Sequence, residues 1–324
     1  MKKLTCMTVT LALSLMLAGA ACAMGEQSNK KAIVLAGFGT SYPSALVSIT
    51  NIQKQVQKAF SKIPVKVAFT SNIIRGIWHK RQDDPRFLAA HREIPEEILY
   101  VKGPLATIAD LQDEGYRTII VQPTHIYNGE EFTDIRSYVN GLNAIRTIKA
   151  KFAPFVKLVI GRPALGQYGP RHDYHKDMQI GAEALKADVA LAGKEGRALV
   201  YMGHGNAFYS TGIYAEFQQV MRRTYPGAKI FIGTVEGYPS LGDVISALKH
   251  RGVQSVVLKP LMIVAGDHAN NDMAGPDKNS WKSTMERAGI RVQPVLHGLG
   301  ENTQWAQIYV KHIRDVAKDN HIGL

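Results

Sequence analysis

The stretch Ala198-Leu199-Val200-Tyr201-Met202-Gly203-His204-Gly205-Asn206 decides the fold, because the chain carries it twice. The earlier copy reads Ala32-Ile33-Val34-Leu35-Ala36-Gly37-Phe38-Gly39-Thr40. In both, a short apolar run enters Gly-x-Gly, the pattern of a buried strand that ends in a tight turn. An amphipathic helix follows each copy, over 45–60 and 213–225, and then a second strand over 65–70 and 229–234. Next comes a helix stopped by a glycine, Gly115 or Gly252, and then a strand closing on proline at Pro123 or Pro260. Strands alternating with helices predict parallel sheets covered on both faces, joined by right-handed crossovers. A repeat of this length is a duplicated domain rather than a solenoid. The expected fold class is α/β: two similar domains, each a parallel sheet flanked by helices, with a cleft between them.

Domain boundaries follow from the same pattern. The first domain spans 24–163 and closes with a strand at 156–160. The second spans 164–302, opening on a linker at 164–176 that is rich in Gly, Pro and His. The last segment, 303–324, holds a helix expected to fold back over the first domain. Residues 1–23 read as a signal peptide: Lys2 and Lys3, an apolar run, then Ala21-Cys22-Ala23 as the cleavage site. The apolar run is too short for a spanning helix, and no later stretch reaches transmembrane length. The expected location is therefore the periplasm. Both cysteines, Cys6 and Cys22, lie in that leader, so no disulfide or thiolate ligand is expected after cleavage.

The formal charge of +12 favours acidic ligands. It does not argue for nucleic acid, since no dense Lys/Arg run with interleaved aromatics is present. His204, Glu236 and His268 each follow a strand-like run and are spaced 32 residues apart. Residues just past parallel strand ends gather on the carboxyl edge of the sheet, where such folds place ligands. Taken singly, His204 is a turn histidine, His268 the neighbour of a helix cap and Glu236 a solvated carboxylate. Taken together, two imidazoles and one carboxylate form a three-ligand metal site with open positions. The first copy lacks this set: Phe38 stands at the place of His204, Glu131 opposite His268, and Thr70 or Ser71 near Glu236.

Two readings stand for His125, which follows the strand ending at Pro123 and matches Met262 in the second copy. One is a buried, hydrogen-bonded side chain; the other is an axial ligand to an iron tetrapyrrole. Asp267 and Asp272 are candidate partners that fix an imidazole tautomer, while Asn270 and Asn271 read as satisfying backbone groups. The basic stretch 79–92, with Arg75, reads as a helical insertion near the cleft mouth, either meeting ligand carboxylates or forming a solvated face.

Gly203-His204-Gly205-Asn206, Thr234-Val235-Glu236-Gly237 and Gly266-Asp267-His268-Ala269-Asn270-Asn271-Asp272 resemble the anaerobic cobalt chelatases, the sirohydrochlorin cobaltochelatases of the class II chelatase group. Ala36-Gly37-Phe38-Gly39-Thr40-Ser41 and Asn128-Gly129-Glu130-Glu131-Phe132 resemble them too. The likeness runs over roughly 31–320. It implies a bilobal protein that inserts a divalent metal into an anionic tetrapyrrole without nucleotide. By resemblance His204, Glu236 and His268 hold the incoming Co²⁺, with Fe²⁺ as a further metal. A homo-oligomer is also expected. The export signal departs from the resemblance, since cobalt insertion for corrinoid synthesis is ordinarily cytoplasmic. The second function class is therefore a periplasmic binding protein for haem, another tetrapyrrole or a metal, built on a chelatase fold.

Overall fold

The structure, a computed structural model, describes residues 29–194, 196–206 and 212–324. The expected signal peptide and its cleavage site lie outside the described residues. The first half runs β1 (Lys30–Gly37), α1 (Leu46–Ala59), β2 (Val65–Phe69), α2 (Asn72–Arg81), α3 (Pro85–Ala90), α4 (Glu96–Leu99), α5 (Pro104–Asp113), β3 (Tyr116–Pro123), α6 (Glu130–Asn143) and β4 (Lys157–Ile160). The second half runs α7 (Tyr174–Ala184), α8 (Lys186–Gly193), β5 (Ala198–Gly205), α9 (Gly212–Thr224), β6 (Ile230–Glu236), α10 (Leu241–His250), β7 (Ser255–Leu261), α11 (Trp281–Arg287) and β8 (Arg291–Pro294). Helix α12 (Thr303–Asp319) completes the chain's secondary structure.

The two sheets repeat one topology. Their strand orders are β2-β1-β3-β4 and β6-β5-β7-β8, with every pairing parallel. The register repeats as well: Ala36 lies opposite Pro123 in one sheet, and Met202 opposite Pro260 in the other. The sequence alignment of the copies is thus also an alignment of hydrogen-bonded pairs. Gly115 and Gly252 sit at positive φ, 89° and 62°, as helix-stopping glycines do.

Alternation along the strands explains how the halves join. Side chains on successive strand residues face opposite ways. Ile33 and Leu35 of β1, with Leu199 and Tyr201 of β5, enter one continuous apolar cluster shared by both halves. Ala32, Val34 and Ala36, and separately Ala198, Val200 and Met202, face outer clusters private to each sheet. The shared layer is supplied by Ile52 and Val56 of α1, Met178 of α7, Phe217 of α9 and Trp305 of α12. Helix α12 packs on α1, β3 and α7. It begins where the Asn302 side chain accepts hydrogen bonds from the Gln304 and Trp305 amides.

Three differences from the sequence expectation matter. Strand β6 continues to Glu236, so this carboxylate terminates a strand and does not sit in a following loop. Residues 174–176 of the expected linker form the first turn of α7, because Asp173 caps it through the His175 amide. The insertion at 79–92 is divided: α2 ends at Arg81, and Asp84 caps the start of α3.

A buried ionic knot ties β4 to α7 and α12. Arg162 donates to Asp177 at 2.6 and 2.9 Å and to Asp315 at 2.7 Å, and His312 lies 3.2 Å from Asp177. Burial alone would raise the Asp177 carboxyl; hydrogen bonds from Arg162 and His312 outweigh it and hold the group below its ordinary range. A depressed folded value means this stabilisation is complete above the unfolded value, about pH 3.9, and fades as pH falls through the folded one. Asp177→Asn should lower unfolding stability at neutral pH by about 3 kcal/mol, because it leaves a buried guanidinium under-compensated. Chemical denaturation should show that gap narrowing in strong acid, and a constant gap would contradict the ionic origin of the effect.

Candidate metal centre

A cavity of about 470 Å³ opens at the carboxyl edges of both sheets. His204 and His268 line it from the second half; Phe38, His125 and Glu131 line it from the first. Positions that align between the copies therefore line one cavity. Met262, the counterpart of His125, lines it too.

His204 and His268 meet edge to face, with ring centroids 4.8 Å apart and planes at 86°. The Nδ1 of His204 is 3.0 Å from the Gly205 carbonyl oxygen, which only accepts, so Nδ1 carries the proton. The Nδ1 of His268 donates in the same way to Asp272 Oδ2 at 2.6 Å. Both imidazoles then keep a lone pair on Nε2, the state a metal requires. Asp272, four residues on in a single π-helical turn (Ala269–Met273), is the carboxylate that orients the ring. Asp267 instead accepts from Tyr42 at 3.1 Å and from Asn271 at 2.8 Å, joining the first Gly-x-Gly turn to the His268 loop. The Asn270 amide donates to the Ala265 and Gly266 carbonyls, the backbone role its sequence context suggested.

Glu236 stands in register with Gly205, directly beside His204, and its side chain is exposed. The approach is so close that only glycine fits. Gly205 has φ +79°, and a Cβ there would lie 1.7 Å from the Glu236 carbonyl oxygen. Among the described residues, no three His, Cys, Asp or Glu side chains lie close enough together to hold an ion. The structure thus brings the two histidines into contact and leaves the carboxylate at the adjoining strand end.

Two tyrosines that sequence reasoning missed brace this turn. Tyr127 donates to the Gly205 carbonyl at 3.0 Å, and the Gly205 amide donates to Tyr214 Oη at 3.3 Å. Their rings pack edge to face at 5.3 Å. Burial first, and the Glu131 charge second, push the Tyr127 phenol upward, so it stays a donor. Only the placement of Tyr214 early in the helix after Gly-x-Gly hinted at this.

The basic insertion is a solvated face only in part, and two arginines serve the main chain. Arg75 turns its guanidinium onto the Phe69 and Thr70 carbonyls, and Arg81 bonds the Ser41 carbonyl while stacking on Trp78. Lys80, Arg86 and Arg92 remain exposed. His125 is only half-buried, although both ring nitrogens are sealed from solvent, and the expected hydrogen bond is missing: neither nitrogen has a partner.

The fold that these elements build is that of the chelatases. SirB from Bacillus subtilis with Fe³⁺ superposes with a TM-score of 0.54 at 12% identity, covering 90% of this chain and 98% of that one. SirB from Bacillus subtilis subspecies spizizenii in complex with cobalt gives 0.52 at 11%, covering 90% and 97%. Sequence defines the family more narrowly. The model of the cobalt chelatase (CbiK) family matches residues 31–318, and the chain belongs to that family. It is 32% identical over 285 residues to the sirohydrochlorin cobaltochelatase CbiKC of Nitratidesulfovibrio vulgaris, covering 88% of this chain and 90% of the relative. It is equally identical, at the same coverage of this chain, to the sirohydrochlorin cobaltochelatase of Salmonella typhimurium, of which 95% is covered.

If Asp272 orients His268, Asp272→Ala should weaken Co²⁺ binding about 10- to 100-fold without unfolding the protein. Titration calorimetry with Co²⁺ checks this, and wild-type affinity in the variant would remove Asp272 from the centre.

Proposed function

We propose that this protein inserts Co²⁺ into sirohydrochlorin without a nucleotide, and that Fe²⁺ is a second metal it accepts. The observation that carries the proposal is the His204–His268 pair, which presents two unprotonated Nε2 atoms at the edge of the interlobe cleft. Family membership supports it, since two relatives covered almost end to end bear that activity in their names.

The metal enters as substrate. His204 and His268 bind it, and the exposed side chain of Glu236 swings in from the neighbouring strand end to complete the set. Imidazole and carboxylate hold a borderline divalent ion well enough to strip its water while leaving positions for pyrrole nitrogens. The mostly apolar cavity receives the ring's flat faces, and the exposed cations Lys80, Arg86 and Arg92 attract its carboxylates. Neutralising them together should weaken sirohydrochlorin capture mainly at low salt.

The competing reading, a periplasmic carrier with an iron tetrapyrrole on His125, draws on one side chain. The chelatase reading draws on the pair, the duplication and the family, so we adopt it. Residues 1–23 direct it to the periplasm in this reading, and self-association accompanies it; cell fractionation and sedimentation test these two points.

His204→Ala and His268→Ala should each slow Co²⁺ insertion by at least about 100-fold, more than loss of an outer partner does. The assay is the decay of free sirohydrochlorin absorption bands, with circular dichroism confirming the fold. Wild-type rates in both variants would refute the assignment.

A further inference from the structure

We propose that His125 is a catalytic residue, the acceptor of a pyrrole N–H proton displaced as the metal enters the ring. This rests on the insertion activity proposed above. The proton must go somewhere, and the metal pair is poorly placed to take it. While His204 and His268 bind metal through Nε2, their Nδ1 atoms are already protonated donors to Gly205 and Asp272. Neither ring then has a free lone pair.

His125 has one. It follows β3 in the first half and lines the same cavity as the metal pair. Its main chain is pinned: the carbonyl accepts from the Ala164 amide at 2.9 Å and from Tyr309 Oη at 3.3 Å. Its ring, by contrast, has both nitrogens sealed from solvent and unpartnered. A buried polar atom without a partner is costly, so a folded protein that keeps two in one side chain calls for a reason. The ring already lines the cavity, and a turn about its Cβ–Cγ bond brings one nitrogen out to a substrate N–H, which supplies the missing donor.

Burial pushes the imidazole down to about 4, so the ring waits neutral, with a lone pair on one nitrogen. In the transfer, the pyrrole N–H bond breaks and its electron pair becomes the nitrogen–metal bond. The proton joins the His125 lone pair and forms an imidazolium. The preference of the empty site for the neutral ring then drives the proton to water as product leaves. Insertion of a divalent ion displaces two such protons: His125 takes one, and the Glu236 carboxylate, freed as the metal leaves it for the ring, takes the other.

The test compares wild-type protein with His125→Ala and the near-isosteric His125→Gln under Co²⁺ and sirohydrochlorin. Both variants should lose about 100-fold in kcat, the low end for a general base, while KM for Co²⁺ stays within about two-fold. Added imidazole should restore at least about a tenth of the lost rate to His125→Ala, by refilling the cavity with a base. Unchanged kcat in either folded variant overturns the proposal. So does a fall in kcat without imidazole rescue, or loss of Co²⁺ binding by calorimetry, which would make His125 a metal ligand. Failure of the wild-type protein to insert cobalt is a separate result, and it would strike the proposed function instead.

Discussion

The close approach of Gly205 to Glu236 is the constraint on which the rest of the site depends. Strands β5 and β6 pair to their last residues, and there the Glu236 carbonyl occupies the place where any side chain on Gly205 would begin. A left-handed glycine is needed for this, and its carbonyl accepts bonds from both Tyr127 and the His204 ring. The Gly205 carbonyl thereby fixes the tautomer of His204 and ties the second half to the first.

Duplication supplies two strand-end edges, and divergence between the copies turns them into different walls. The second copy keeps a histidine after Gly-x and another beyond its third strand. In the first, Phe38 and Glu131 stand at those places, and His125 takes the place of Met262. The result is a cleft with a pair of imidazoles on one side and apolar surface, carboxylate and a lone imidazole on the other. Because the copies share one apolar layer with α12, neither wall is free to drift from the other.

Much of this was legible in the sequence because the signals were local and repeated. Parallel strands gave short apolar runs, Gly115 and Gly252 marked helix ends, and strand-end placement picked out His204 and His268. The rest depended on long-range packing. Strand β8, four residues long and only partly buried, carries too little periodicity to read. The helix starting at Tyr174 lay hidden in a Gly/Pro-rich stretch because its cap, Asp173, looked like linker. Tyr127 and Tyr214 act on a backbone group that is distant in sequence from Tyr127, which no motif reports. The partial burial of His125 was foreseeable from its apolar strand, but the lack of partners for its ring was not.

Everything proposed for the site requires that His204 and His268 hold the incoming metal at this rim. Crystals soaked in Co²⁺ and measured on both sides of the cobalt absorption edge test it directly. An anomalous peak is expected within coordination distance of both Nε2 atoms, about 2.1 Å, with the Glu236 side chain drawn toward it. Full occupancy elsewhere, with no peak between the two imidazoles, would contradict it.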